Sequence, residues 1–244
     1  MTRLLLRASL LAAALLSAHA APPAGYKLAW ADEFNGSALD SAQWTYRTDS
    51  KHWSTQLPAN ITVSGGSLVI HLKKERAGGK EYTGGGVITK SPFRFGYYES
   101  RFRILAGPGW HSSFWMMGHD GSGGTGTAQT PIELDVIEND TGNLNSYGVN
   151  VHRWQGQHIS RGHKNVPTPP LSEWHTYGAE YTPAQVQYFF DGQLVQTVDV
   201  SDLPQGGLHI WLTSIASHLG NTKAVDDTKL PGRVEYDYVR FYTR

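Results

Sequence analysis

From Tyr26 onward, apolar and polar positions alternate in short runs punctuated by Gly, Asn and Pro. Side chains two residues apart share one face of an extended chain, so each run carries one face suited to a core. Ser67–Leu72 and residues 186–190 show this most clearly, and the same pattern predicts strands over 85–88, 97–105, 112–117, 132–138, 147–152, 176–181, 208–214 and 235–242. Asp191-Gly192 lies between two such runs and predicts a tight hairpin. No long helical period competes with the strands. The expected architecture is all-β: an antiparallel sandwich of two sheets, a jelly roll, whose twist can curve one face into a concave cleft.

One run departs from simple alternation. In Ile132-Glu133-Leu134-Asp135-Val136-Ile137-Glu138, three carboxylates interleave with four apolar residues. Glu133 and Asp135 share a face, and Leu134 and Val136 face the core. Glu138 stands at an odd offset from Glu133, which would bury it in a regular strand. One bulge around Val136 and Ile137 returns it to the carboxylate face. The two glutamates then stand about four strand steps apart, and long side chains leaning together bring their carboxyl groups near ~5 Å, a spacing suited to a retaining glycosidase. In that chemistry one carboxylate attacks the anomeric carbon and the other donates a proton to the departing oxygen; this geometry does not say which glutamate attacks. Asp135 between them can raise the proton affinity of Glu138 and, when protonated, orient Glu133. The bland alternative is a solvated strand face of unpaired acids. Aromatic residues shift the balance, because sugar sites need flat apolar platforms; Trp110, Trp115, Trp154 and Trp211 are the candidates. Asn150 and His152 share a face of a neighbouring strand and are expected near the glycosidic bond.

The first twenty residues read as a signal peptide: a short apolar run follows Met1-Thr2-Arg3 and ends in Ala18-His19-Ala20. Cleavage after Ala20 leaves a single catalytic domain over 21–244, secreted or periplasmic, without a stable membrane anchor. The mature chain has nineteen basic and twenty-one acidic side chains, net −2, which offers no nucleic-acid surface. It has no cysteine, so core burial alone must stabilise it. The stretch 118–130 is rich in Gly, Ser and Thr and predicts a mobile loop without a phosphate-binding motif.

Together these residues resemble the laminarinase-like enzymes of glycoside hydrolase family sixteen. The resemblance runs from Trp30-Ala-Asp-Glu-Phe34 through Gly96-Tyr-Tyr-Glu-Ser-Arg-Phe102, the bulged Glu133-Leu-Asp-Val-Ile-Glu138 signature and Trp174-His-Thr-Tyr-Gly-Ala-Glu-Tyr181 to Tyr236-Asp-Tyr-Val-Arg-Phe-Tyr242. It implies a concanavalin-like jelly roll, with Glu133 as nucleophile, Asp135 as assisting acid and Glu138 as general acid/base. It also implies a structural calcium near Glu33, Gly66 and Asp237, with no cofactor for catalysis, and a monomer acting on a polysaccharide or oligosaccharide. Two stretches depart from the family: Trp110-His111-Ser112 stands where many laminarinases have Trp-Pro-Ala, and Pro131-Ile132 where they have Trp and Gly. The expected reaction is endo-hydrolysis of β-1,3-glucan, with a β-galactan as the alternative polymer.

Other classes compete. A non-catalytic lectin could use the same sandwich, but the intact acid signature argues against it. A structural or adhesion protein has no use for clustered acids facing a groove. His152, His158 and His163 match no compact metal motif, and two of them are placed in a polar loop. The glycosylation-type sequences at Asn35, Asn60 and Asn139 are read as chance, since a glycan on Asn139 would crowd Glu138.

Overall fold

The computed structural model describes residues 22–119 and 131–244; the expected leader and most of the glycine-rich stretch lie outside the described residues. In chain order the strands are β1 (Lys27–Asp32), β2 (Trp44–Tyr46), β3 (Ser50–Lys51), β4 (Ser54–Gln56), β5 (Ile61–Ser64), β6 (Ser67–Leu72), β7 (Tyr82–Thr89), β8 (Gly96–Leu105) and β9 (Trp110–Met117). They continue as β10 (Ile132–Asp140), β11 (Ser146–Arg153), β12 (Ile159–Pro167), β13 (His175–Tyr181), β14 (Gln185–Phe190), β15 (Gln193–Asp199), β16 (His209–Ala216) and β17 (Gly232–Thr243).

They form two sheets. The first runs β15-β14-β13-β8-β17-β6-β5, with β1 also paired to β17. The second runs β12-β11-β10-β9-β16-β7-β4-β3, with β2 also on β7. Pairing is antiparallel except between β4 and β7. Among the described residues no helix is long and apolar enough to cross a membrane.

The core lies between the sheets. Tyr98, Phe102 and Ile104 of β8 and Tyr177 of β13 meet Phe114, Met116, Leu134, Val149 and Leu212 of the second sheet in one buried cluster. Each strand contributes alternate residues, which is why the period-two pattern located most of them. The hairpin at Asp191-Gly192 is present: Phe190 pairs with Gln193, and both turn residues have positive φ, 45° and 77°.

The first five strands and β12 escaped the sequence pattern. β1 has three exposed residues followed by three partly buried ones, so burial does not alternate along it, and β2 to β4 are only two or three residues long. β12 is an edge strand with only Val166 buried, and its polar composition resembles a loop. His163 therefore sits on a strand, and only His158 precedes it in the connection. Asn60 and Asn139 are buried, and their amides donate to backbone carbonyls, so neither side chain is open to modification.

Of the residues expected near a structural calcium, held there by carbonyls and one carboxylate, Glu33 and Asp237 have their carboxylates paired with arginines. Gly66 is a turn residue of the β5–β6 hairpin, where its φ of 77° explains the glycine. Arg240 grips Glu33 through two bonds of 2.7 and 2.8 Å, and Arg101 reaches Asp237 at 2.7 Å. Guanidinium groups thus neutralise both carboxylates.

The outer face of β8 buries a titratable group. Glu99 is fully buried and accepts a 2.9 Å bond from Tyr238 Oη. Burial pushes its carboxyl up to about 7, against the opposing bond from Tyr238 and the charge of Arg240. The unfolded chain releases this proton near 4.5, so between the two values the folded state binds more protons and stability falls as pH rises. Glu99→Gln should remove that contribution. The urea midpoint of the variant is expected to drop less between pH 5 and pH 8 than that of the wild type; an equal drop would contradict the assignment.

Candidate active site

The outer face of the second sheet is concave and carries a cleft of about 500 Å³. β10 forms its floor. Asp135 pairs with Trp115 on β9 while Ile137 pairs with Phe114, so Val136 is the extra residue of a bulge. The pairing with β11 shifts over the same segment. As a result Glu133, Asp135 and Glu138 all line the cleft, while Leu134, Val136 and Ile137 remain in the core.

The candidate residues divide into those that reach the cleft and those that do not. Trp115, His152 and Trp154 line it together with the three acids. Trp154 is 48 % exposed, stacks on His158 at 4.2 Å, and donates its indole N–H to Glu133 Oε2 at 3.1 Å. Trp110 does not belong to the site: it is 1 % exposed and packs in the core. Five positions separate it from Trp115, so a regular strand turns the two rings to opposite faces. Trp211 is on the cleft side but covered; it packs on Trp115 at 4.6 Å and bonds to the carbonyl of His119. Asn150 is also buried. Its amide contacts His152 Nε2 and Ser160 Oγ, each at 2.9 Å, so it supports His152 from beneath the surface.

Sequence reasoning missed several cleft residues. His111, two positions before Ser113 on the cleft face of β9, bridges two carboxylates: Nδ1 lies 2.9 Å from Asp140 Oδ1 and Nε2 lies 3.1 Å from Glu138 Oε1. The signal was visible as a histidine where the resembling enzymes have proline. Arg47 and Lys51 come from β2–β3 and the segment joining them, and His163 from β12. Nothing local in their sequence ties them to the acids.

Burial dominates the electrostatics. Asp135 is 1 % exposed, and its Oδ2 has no hydrogen-bond partner; burial first, then the charges of Glu138 and Glu133, push it well above the usual carboxylate range. Its protonated form is therefore favoured. Burial also pushes Glu133 up to about 7, opposed by the bond from Trp154 and reinforced by Glu138. Glu138 goes the other way. Burial raises it, but the hydrogen bond and charge of His111, with smaller help from His152 and His163, hold it below the ordinary value. Against the cost of its own burial, the two carboxylates push His111 up to about 9, so it is an imidazolium at neutral pH.

Among the described residues, only Glu133, Asp135 and His152 bring three candidate metal-ligating side chains within 4.8 Å. Burial favours the protonated form of Asp135, which is a poor ligand, since metals bind the deprotonated form. His152 Nδ1 is instead bonded to His158 Nε2 at 2.9 Å. This arrangement can do carboxylate chemistry: two carboxyl groups face one cleft, one bonded to Trp154 and the other to His111, with a third between them whose proton affinity burial raises.

The sequence matches the model of the β-porphyranase A–D glycoside hydrolase family 16 domain over residues 27–244. It is 28% identical to a β-glucanase of Rhodothermus marinus over 244 residues, 89% of this chain and 85% of that one. A solved structure of a non-specific endo-β-1,3(4)-glucanase of family 16, with 1,3-β-D-cellobiosyl-glucose at its active site, has a TM-score of 0.79 at 27% identity, covering 92% of this chain and 97% of that chain. The laminarinase catalytic domain of Thermotoga petrophila RKU-1 shares the fold, with a TM-score of 0.77 at 21% identity over 89% of this chain and 98% of that chain. With the model matched across nearly the whole described sequence and a carboxylate-lined cleft on the concave sheet, the chain belongs to glycoside hydrolase family 16 and is a glycoside hydrolase.

Proposed function

We propose that the chain is an exported, endo-acting, retaining β-glycosidase that cleaves a polysaccharide. The observation that carries the reading is the bulge at Val136, which turns Glu133, Asp135 and Glu138 toward one cleft from a single strand. In the roles the family resemblance gives them, Glu133 in its ionised form attacks the anomeric carbon as the glycosidic bond breaks, and Glu138 in its protonated form passes a proton to the departing oxygen, against the electrostatics of the free cleft, which favour the proton on Glu133 over Glu138. Water then displaces Glu133, giving its proton to Glu138. Asp135, neutral and next to both, donates a hydrogen bond to the ionised Glu133 and limits the negative charge that the cleft must hold. Trp154 offers the exposed ring on which a sugar can stack, next to the attacking carboxylate.

For the polymer, the relatives named as β-glucanases favour a β-1,3- or mixed-linkage glucan. A β-galactan is a second reading with its own support. The matching family model is that of β-porphyranases, and the substrate side of the cleft carries His111 where the resembling laminarinases have proline.

Reducing-sugar release on laminarin, mixed-linkage glucan, agarose, carrageenan and porphyran tests both. Activity confined to the glucans supports the first polymer, and activity confined to the galactans the second. Inversion of anomeric configuration, read by proton NMR of the first products, would overturn the retaining mechanism. Binding of these polymers without cleavage of any would overturn the catalytic reading.

A further inference from the structure

We propose that His111, braced by Asp140, is a positioning residue that fixes the orientation of the Glu138 carboxyl and sets the pH range over which it acts. The inference rests on the reading of Glu138 as the acid/base group. His111 is 8 % exposed, and both its ring nitrogens are committed to carboxylates of the neighbouring strand. Its position is set by register: β9 and β10 pair His111 with Asp140 and Ser113 with Glu138, so the imidazole lies along the cleft face beside Glu138. A carboxyl oxygen that carries no proton only accepts hydrogen bonds, so the ring donates from both nitrogens, to Asp140 and to Oε1 of Glu138, and carries positive charge. Asp140 prevents the ring from turning away, and the ring then holds one oxygen of Glu138. The other oxygen of Glu138 then carries the proton that goes to the glycosidic oxygen and takes one back from water in the second step.

The charges around this pair come from every side of the cleft. Its own strand contributes Glu133, Asp135 and Asp140. His152 and His163 face Glu138 from β11 and β12. Lys51 acts on Glu133, and His52 senses the charge of His111. His111 is the cationic group in hydrogen-bond contact with Glu138, so its removal is the change that Glu138 feels most.

An acid that serves to protonate a leaving group is dispensable when the leaving group departs unaided. The test therefore compares the polymer that the wild type cleaves with the 2,4-dinitrophenyl β-glycoside of the oligosaccharide it releases. His111→Gln is expected to reduce kcat on the polymer by about 10²-fold with KM changed little, and to reduce kcat on the activated glycoside less than tenfold. The limb of the pH profile that disappears in Glu138→Gln should move to higher pH in His111→Gln, because a positive charge beside Glu138 is gone. Asp140→Asn should shift the same limb in the same direction by less, and it keeps the proposal testable if the His111 variant fails to fold.

Equal losses on the two substrates, or an unmoved limb in both variants, would overturn the role of His111. If Glu138→Gln itself shows no dependence on the leaving group, the assignment of Glu138 fails instead. The two failures are thus told apart.

Discussion

Glu133→Gln is expected to lose about 10⁴-fold or more in kcat on the cleaved polymer while keeping the wild-type fold, since an amide of the same shape cannot act as the nucleophile. The geometry suits such a clean loss. Trp154 donates to Glu133 Oε2, and after the change the glutamine carbonyl can still accept that bond. The side chain is pushed up to about 7 chiefly by burial, so a neutral replacement removes a cost of charge burial and leaves no buried group unpaired. Stability should therefore stay level or rise at pH 8. The check is steady-state rate together with urea unfolding on the same preparation. A variant that is unfolded says nothing about chemistry, but a folded variant retaining a tenth of the activity would remove Glu133 from the nucleophile's role.

Phe102→Ala is expected to cost about 3–5 kcal/mol, the range for deleting a buried aromatic ring. Phe102 is fully buried at the centre of β8, between Tyr177 at 4.4 Å and Tyr236 at 4.6 Å. These three rings come from adjacent strands, and Tyr147 of the opposite sheet meets Tyr177 edge-on at 5.5 Å. Collapse into the space left by Phe102 is restricted because Tyr236 Oη is tied to the carbonyl of Ser113 at 3.2 Å. That bond joins the core to β9, one strand from the acids. With a total stability of about 5–15 kcal/mol for a typical domain, the loss should appear as a large drop in the urea midpoint, and a cost below ~1 kcal/mol would show that the ring stack is not packed as described.

Much of the fold was legible because sheet strands expose their period directly. Residues 186–190 and 97–105 were found from alternation and 132–138 from alternation interrupted once, and the structure extends each by only one or two residues. The bulge was legible for a sharper reason: three acids and four apolar residues cannot all find suitable faces on a regular strand. The edge strand β12 was not legible, because with one buried residue it has no pattern to reveal.

The limits at the site have the same origin. Parity along β9 already separates Trp110 from Trp115, but only the sheet pairing says that Trp115 is on the side of Glu133 and Trp110 in the core. Nothing in the sequence shows that Glu33 and Asp237 are paired, until the contacts of β17 with β1 and β8 bring Arg240 and Arg101 against them. The placement of His111 against Glu138 depends on the register between β9 and β10, across a gap of twenty-seven residues. The sequence by itself determined which side chains share a face and which acids needed a bulge, since both follow from the geometry of one extended strand. The tertiary structure decided which faces meet and which charges lie together, because strand pairing joins residues distant along the chain and burial then sets their proton affinities.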